Sequence, residues 1–196
     1  MKNIFLIGDS IMFGAGNKNA RGYGEQVRTK LAGEASVAWP HENCRFAEYT
    51  LRYLHEWASG IDTEKIDVVH WNNGLWDVLR LFGDEPLTPI ETYTQMLKRV
   101  YKRIRLIFPN AKVIFALNTP VIEEMASPDF FRYNHEIDAY NEAARKCMEE
   151  LGVPVNDLND VVRPLGEEYR ADFVHFNTKG SDLLSDAVIE AIRRID

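Results

Sequence analysis

The residues best able to do chemistry lie at the two ends of the chain. Near the N-terminus, Ile4-Phe5-Leu6-Ile7 runs directly into Gly8-Asp9-Ser10. Near the C-terminus, Asp172 stands three residues before His175, ahead of a helical pattern that runs to Ile195. A serine hydroxyl is a weak nucleophile at neutral pH. It needs a base within hydrogen-bond reach, and that base needs an acceptor on its second ring nitrogen to fix its tautomer. Asp-x-x-His offers base and acceptor from one short loop. A serine on a sharp turn can present both its Oγ and its own N–H to a carbonyl group. Each piece alone has a plainer reading: Gly, Asp and Ser are ordinary turn formers, Asp or Ser can cap a following helix, and a lone histidine near a helix start is usually structural. The pairing of the two ends points to acyl chemistry.

Bringing those ends together requires a particular scaffold. The run Ile4–Ile7, closed by a glycine, has the pattern of a strand buried on both faces. Further strands are expected at Val37–Pro40, from Ile66, from Ala111 and from Val153. Helical patterns separate them. One carries Val27 and Leu31; a second starts near Thr50 with Leu51, Leu54 and Trp57 on one face. A third takes Thr88 as N-cap with Pro89 at its first position and runs to about Phe108. A fourth spans Asn134–Leu151 with Ile137, Tyr140, Ala144 and Met148 inward, and the last runs from about Thr178 to Ile195. Such alternation specifies an α/β, three-layer α/β/α sandwich on a five-stranded parallel sheet with right-handed crossovers. All strands then end on one edge, where open α/β sheets hold their ligands. Ser10, Ala47, Asn73, Asn118 and His175 are expected to meet there. No repeat or linker is visible, so residues 1–196 are expected to form a single domain.

Composition narrows the function. Charged residues are 27% and hydrophobic residues 45%, the balance of an ordinary globular chain rather than a disordered or membrane one. A net charge of -7 disfavours binding to a phosphate backbone, so no nucleic-acid partner is expected. Cys44 and Cys147 form no disulfide framework and no CxxC pair, and no His or Cys cluster has ligand spacing; no metal and no cofactor are expected. The first apolar run stops at Asp9, too short for a signal peptide, and no stretch approaches a membrane span. A cytoplasmic location without a membrane partner is the expectation. Gly14, Gly16, Gly22 and Gly24 fit neither common phosphate-loop pattern and are read as a rim near Ser10, with Arg21 and Tyr23 as rim or surface residues. His70, inside the third strand, is read as a core histidine. The cations Lys98, Arg99, Lys102, Arg103 and Arg105 are read as a solvated helix face favoured by the helix dipole. Residues 122–133 are expected to be an irregular lid or specificity loop.

Gly8-Asp9-Ser10 and Asp172-x-x-His175, in that order and at those ends, resemble the first and last sequence blocks of the SGNH/GDSL hydrolase family, and they bracket nearly the whole chain. The resemblance implies the flavodoxin-like fold of that family and a serine esterase working through Ser10, His175 and Asp172. It implies a small ester substrate, such as a carbohydrate O-acetyl or short acyl ester. It also implies an oxyanion hole built from the Ser10 N–H, a glycine N–H in a second block and an asparagine side chain in a Gly-x-Asn-Asp block. The chain departs from the last two. Residues 42–50 hold no glycine, and Ala47 is taken as the donor there. Gly74 and Asp77 match the third block, but Trp76 stands at the asparagine position; Asn73, and after it Asn72, is taken as the amide donor. Trp39, Trp71 and Trp76 either stack on a sugar or serve the core. Alternatives remain open: an acyltransferase or thioesterase on the same site, or a non-catalytic binding protein on a degenerate hydrolase fold. A homo-oligomer is compatible with the sequence, which does not fix the oligomeric state.

Overall fold

The computed structural model describes residues 1–14, 16 and 18–195. Two positions of the glycine-rich rim, 15 and 17, therefore lie outside the described residues. The fold grows from β1 (Lys2–Ile7), whose Ile4, Phe5, Leu6 and Ile7 are all 0–1% exposed. A strand so apolar on both faces must be covered on both, which the helices do, while its two backbone edges are paired by neighbouring strands. β2 (Ala35–Ala38) lies along one edge of β1 and β3 (Val68–Trp71) along the other, both parallel to it. β5 (Lys112–Ala116) pairs with β3, and the two-residue β7 (Val155–Asn156) closes the far edge. The order is β2-β1-β3-β5-β7, all parallel, so every strand ends at the same edge as Ile7.

Helices cover the sheet in two groups. α2 (Tyr23–Lys30) packs against α7 (Thr178–Arg194), while α3 (Ala47–Trp57), α4 (Ile90–Ile107) and α5 (Asn134–Leu151) pack side by side. Each buries the stripe its periodicity marks; in α5 it is Ile137, Tyr140, Ala144 and Met148, as the spacing requires. Among the described residues, no helix is long and apolar enough to cross a membrane.

Four local features differ from the sequence reading. α3 begins at Ala47 rather than near Thr50, because the Asp77 carboxylate caps it from a distant loop. α4 begins at Ile90 with Pro89 as N-cap; Thr88 donates its N–H to the Asp77 carbonyl instead of capping the helix. The short helix α6 (Leu158–Val162), capped by Asp157, takes up part of the expected fifth strand. Lastly, β4 (Arg80–Leu81) and β6 (Phe130–Phe131) form an antiparallel pair, the second strand lying in the segment expected to be irregular. That pair ties the loop after β3 to residues 122–133, directly beside the strand ends.

Candidate active site

Ser10 is the first residue of a single turn of helix, α1 (Ser10–Phe13), set immediately after β1. The Asp9 side chain caps this turn by accepting the Ile11 N–H at 2.9 Å. The turn holds Ser10 at the strand end with its hydroxyl pointing at the last loop of the chain. There, His175 Nε2 lies 2.8 Å from Ser10 Oγ, and His175 Nδ1 lies 2.9 and 2.8 Å from the two Asp172 oxygens. Asp172 Oδ1 also accepts the backbone N–H groups of Val174 and His175, at 2.9 and 2.8 Å. The loop is thus folded around its own carboxylate. Burial pushes the Asp172 carboxyl up, but the hydrogen bonds from the His175 ring and from the His175 and Val174 backbone outweigh it and hold the group well below the usual carboxylate range. The acceptor therefore stays charged, as a base-orienting carboxylate must. The backbone of Gly16 lies on the His175 ring: a Cβ there would come within 2.7 Å of the imidazole, at a φ of 136° that side chains disfavour. The glycine-rich rim accordingly covers the imidazole, which no side chain at position 16 could do so closely.

The expected oxyanion donors do not all reach the site. Among the described residues, nothing accepts the Ser10 N–H, which stays available. Ala47 is corrected: its N–H donates to the buried Asp77 carboxylate at 3.2 and 3.1 Å. Asn73 is corrected as well. It is fully buried, its amide N–H groups go to Arg45 O and Thr50 Oγ1, and its Oδ1 accepts from the Trp71 indole. Asn73 fastens the loops together instead of facing a substrate. Asn72 is better placed, for it lines a small cavity with Ile11, the neighbour of Ser10, and with Leu75 and Asn118. Its Nδ2 donates to Ala116 O at 2.9 Å and to Asn118 Oδ1 at 3.2 Å. Where the second-block glycine is missing, Arg45 takes a φ of 50°, the left-handed conformation that glycine favours. The Arg45 N–H is held by Asn43 Oδ1 at 2.8 Å.

Asn118, expected at the strand ends, is found there beside Asn72, whereas Arg132 joins the site with little signal in the sequence. Asn118 extends the polar chain inward, donating its side-chain N–H to Asn141 Oδ1, while Asn141 and Asn159 both donate to the Asn118 carbonyl. Arg132, from the segment expected to be a lid, is 2% exposed and reaches inward to donate its Nε–H to Leu75 O. Burial lowers its pKa to about 10, opposed by the charges of Asp9 and Asp172. Asp9 is buried too, and desolvation raises its pKa against the pull of the Ile11 N–H, Arg132 and His175. A basic residue inside the apolar run Phe130-Phe131-Arg132-Tyr133 was the one available hint. Tyr23, read as rim or surface, is 1% exposed, whereas Arg21 is exposed. Trp71 is fully buried in β3; Trp39, after β2, is partly exposed under Arg28, and Trp76, after β3, is partly exposed as well. A concavity of about 420 Å³ lies between β7 and α7 and shares no residue with the Ser10–His175 contact.

Two buried groups near the site set opposite pH dependences on stability. Burial lifts Asp77 from 3.8 to about 7, against the hydrogen bonds from Ala47 and Thr88. Across that window the folded chain keeps a proton that the unfolded chain has released, so this contribution falls as pH rises. His70, wholly buried in β3, is driven from 6.5 down to about 3 by desolvation. Its contribution is complete above 6.5 and is lost as pH falls towards 3. The two offset each other between about pH 4 and 6.5. Asp77→Asn removes only the first. Measured by urea unfolding, the stability of this variant relative to the parent should rise by a few kcal/mol from pH 4 to 7. A difference independent of pH would show that Asp77 is ionised in the fold throughout.

A family model described as "GDSL-like Lipase/Acylhydrolase family" matches residues 6–183 of the chain. No curated protein sequence matches. Among solved structures, a lipase/acylhydrolase from Enterococcus faecalis superposes with a TM-score of 0.75 at 22% identity, covering 98% of this chain and 96% of that one. A member of the lipolytic G-D-S-L family from Veillonella parvula gives 0.73 at 20% identity, covering 99% and 100%. The acetyl xylan esterase AlAXEase gives 0.73 at 16% identity, covering 97% and 99%. Likeness at these identities bears on the fold, and it extends over essentially the full length of each chain.

Proposed function

The chain belongs to the GDSL-like lipase/acylhydrolase family and is a carboxylic ester hydrolase, and we propose that it cleaves small esters through Ser10, His175 and Asp172. The observation that carries this reading is the continuous hydrogen-bonded path Ser10 Oγ–His175 Nε2, His175 Nδ1–Asp172. Ser10 Oγ attacks the ester carbonyl while His175 Nε2 takes its proton. Asp172 fixes the tautomer and stabilises the imidazolium that results. The negative charge that develops on the carbonyl oxygen is met by the Ser10 N–H and by Asn72 Nδ2, whose 3.2 Å bond to Asn118 is the longer of its two and the easier to exchange. As the tetrahedral intermediate collapses, His175 returns the proton to the leaving alcohol and the acyl group stays on Ser10. Water, deprotonated by His175, attacks next; the acid leaves, and Ser10 recovers its proton.

The substrate we propose is an acetyl or short acyl ester, carbohydrate O-acetyl groups included. Support comes from the likeness to a fold that also serves an acetyl xylan esterase. A series of p-nitrophenyl esters from acetate to octanoate, run beside acetylated sugars with Ser10→Ala as control, tests it. The expected result is a kcat/KM that is highest for acetate and falls by about tenfold or more by hexanoate, since an overfilled acyl site loses roughly 10–200-fold per misfit. Equal or rising rates with chain length would overturn the short-acyl assignment. Product analysis with added alcohols separates hydrolysis from acyl transfer.

A further inference from the structure

Three aromatic side chains from three separate segments meet beside the candidate triad. Trp76 follows β3, Phe130 lies in β6, and Phe173 sits within the loop between Asp172 and His175. Phe130 is the centre of the group: the Trp76 ring is 6.2 Å from it at 83°, and the Phe173 ring is 6.3 Å from it at 89°. Both neighbours therefore stand edge-on to one ring, and all three remain partly exposed. Partly exposed aromatic rings held in contact form an apolar patch that a soluble surface rarely carries without use.

The patch is held by bonds between the three segments. Phe173 O accepts the Ile122 N–H at 2.8 Å, tying the last loop to residues 122–133. The β4–β6 pairing sets Leu81 opposite Phe130. The Arg132 guanidinium lies over the Phe130 ring at 5.1 Å while its Nε–H goes to the carbonyl of Leu75, the residue before Trp76. One buried cation thus fixes Phe130 relative to the backbone that carries Trp76. Flat rings with a restrained geometry suit a ligand that itself has a flat face, because edge and face contacts to a ring are directional.

We infer that Trp76, Phe130 and Phe173 form a subsite next to Ser10 that takes the ring-bearing part of the ester substrate. Its ligand chemistry is a six-membered ring offering a π face or a C–H face, as an aryl group or a pyranose does. The proposal rests on the esterase reading above and names which half of the substrate gives it selectivity.

Its test uses three acetates: ethyl acetate, phenyl acetate and an acetylated methyl xylopyranoside. The readout is the ratio of kcat/KM for each ring-bearing ester to that for ethyl acetate, in the parent, Trp76→Ala and Phe130→Ala. A variant that merely loosens the fold lowers all rates together and leaves the ratios alone. Each substitution should lower at least one ratio about tenfold; a fall for phenyl acetate alone assigns an aryl ligand, and a fall for the sugar ester alone assigns a pyranose. Ratios within twofold of the parent in both variants overturn the subsite. Labelling of Ser10 by a fluorophosphonate, measured on the same preparations, separates the two levels. Labelled protein with unchanged ratios removes the subsite alone, whereas a parent that is not labelled removes the esterase reading and the subsite with it.

Discussion

Ser10→Ala is expected to lower kcat for ester hydrolysis by on the order of 10⁴–10⁶, with KM little changed. The size follows from the geometry. Ser10 Oγ is the atom His175 Nε2 faces at 2.8 Å, and among the described residues no other hydroxyl is bonded to that nitrogen. His175→Ala should lose a similar amount, because a serine without its base is a poor nucleophile near neutral pH. The double variant should lose no more than either single one. Groups that act in one proton path are not additive, and what survives is the rate supplied by binding and by the Ser10 N–H. Fluorophosphonate labelling gives the same answer without a substrate, vanishing in Ser10→Ala and slowing sharply in His175→Ala. Independent, multiplying losses in the double variant would show that the two side chains do not work together. Full activity in Ser10→Ala would remove the serine mechanism altogether.

The second large effect is on stability. Gly74 has a φ of 145°, and a Cβ placed there would sit 2.1 Å from Asn118 Nδ2 and 2.7 Å from its Cγ. Asn118 cannot step aside cheaply. Its side chain bonds Asn72 and Asn141, its carbonyl accepts from Asn141 and Asn159, and it is 1% exposed. Gly74→Ala therefore combines backbone strain of about 1–3 kcal/mol with overpacking of about 1–3 kcal/mol. A loss of roughly 2–6 kcal/mol in urea unfolding is expected. Activity should fall with it even where the variant stays folded, because displacing Asn118 moves the amide of Asn72. An Ala variant as stable as the parent would mean that the loop after β3 can shift without disturbing the buried asparagines. Gly74 matches a glycine of the resembled family, and here its role is physical: only a residue without Cβ lets the loop pass over Asn118.

What could be read from the residues, and what could not, divides by the range of the forces involved. β1 was legible because Ile4–Ile7 is apolar at every position, which only a strand covered on both faces tolerates. α5 was legible to the residue, since its inward stripe and the αL glycine that ends it, Gly152, are local signals. Ser10, Asp172 and His175 were identified by type and spacing, and once five parallel strands end on one edge their meeting follows. The start of α3 was missed by three residues, because its cap is the carboxylate of Asp77, 30 residues away. The β4–β6 pair was invisible because two-residue strands have no period to detect.

The sequence by itself determined the layered fold and singled out Ser10, His175 and Asp172 as the proposed nucleophile, base and orienting carboxylate, since apolar periodicity and a three-residue spacing are properties of neighbouring residues. Only the tertiary structure decided which groups can meet the developing charge. Ala47 and Asn73 have suitable donors, but each N–H is already held by a partner from another segment, Asp77 for the first and Arg45 with Thr50 for the second. The same holds for Arg132, whose place under Phe130 depends on a backbone carbonyl 57 residues away. A hydrogen bond is satisfied by whichever group the fold brings within about 3 Å, and distance in space is the quantity a linear chain does not state.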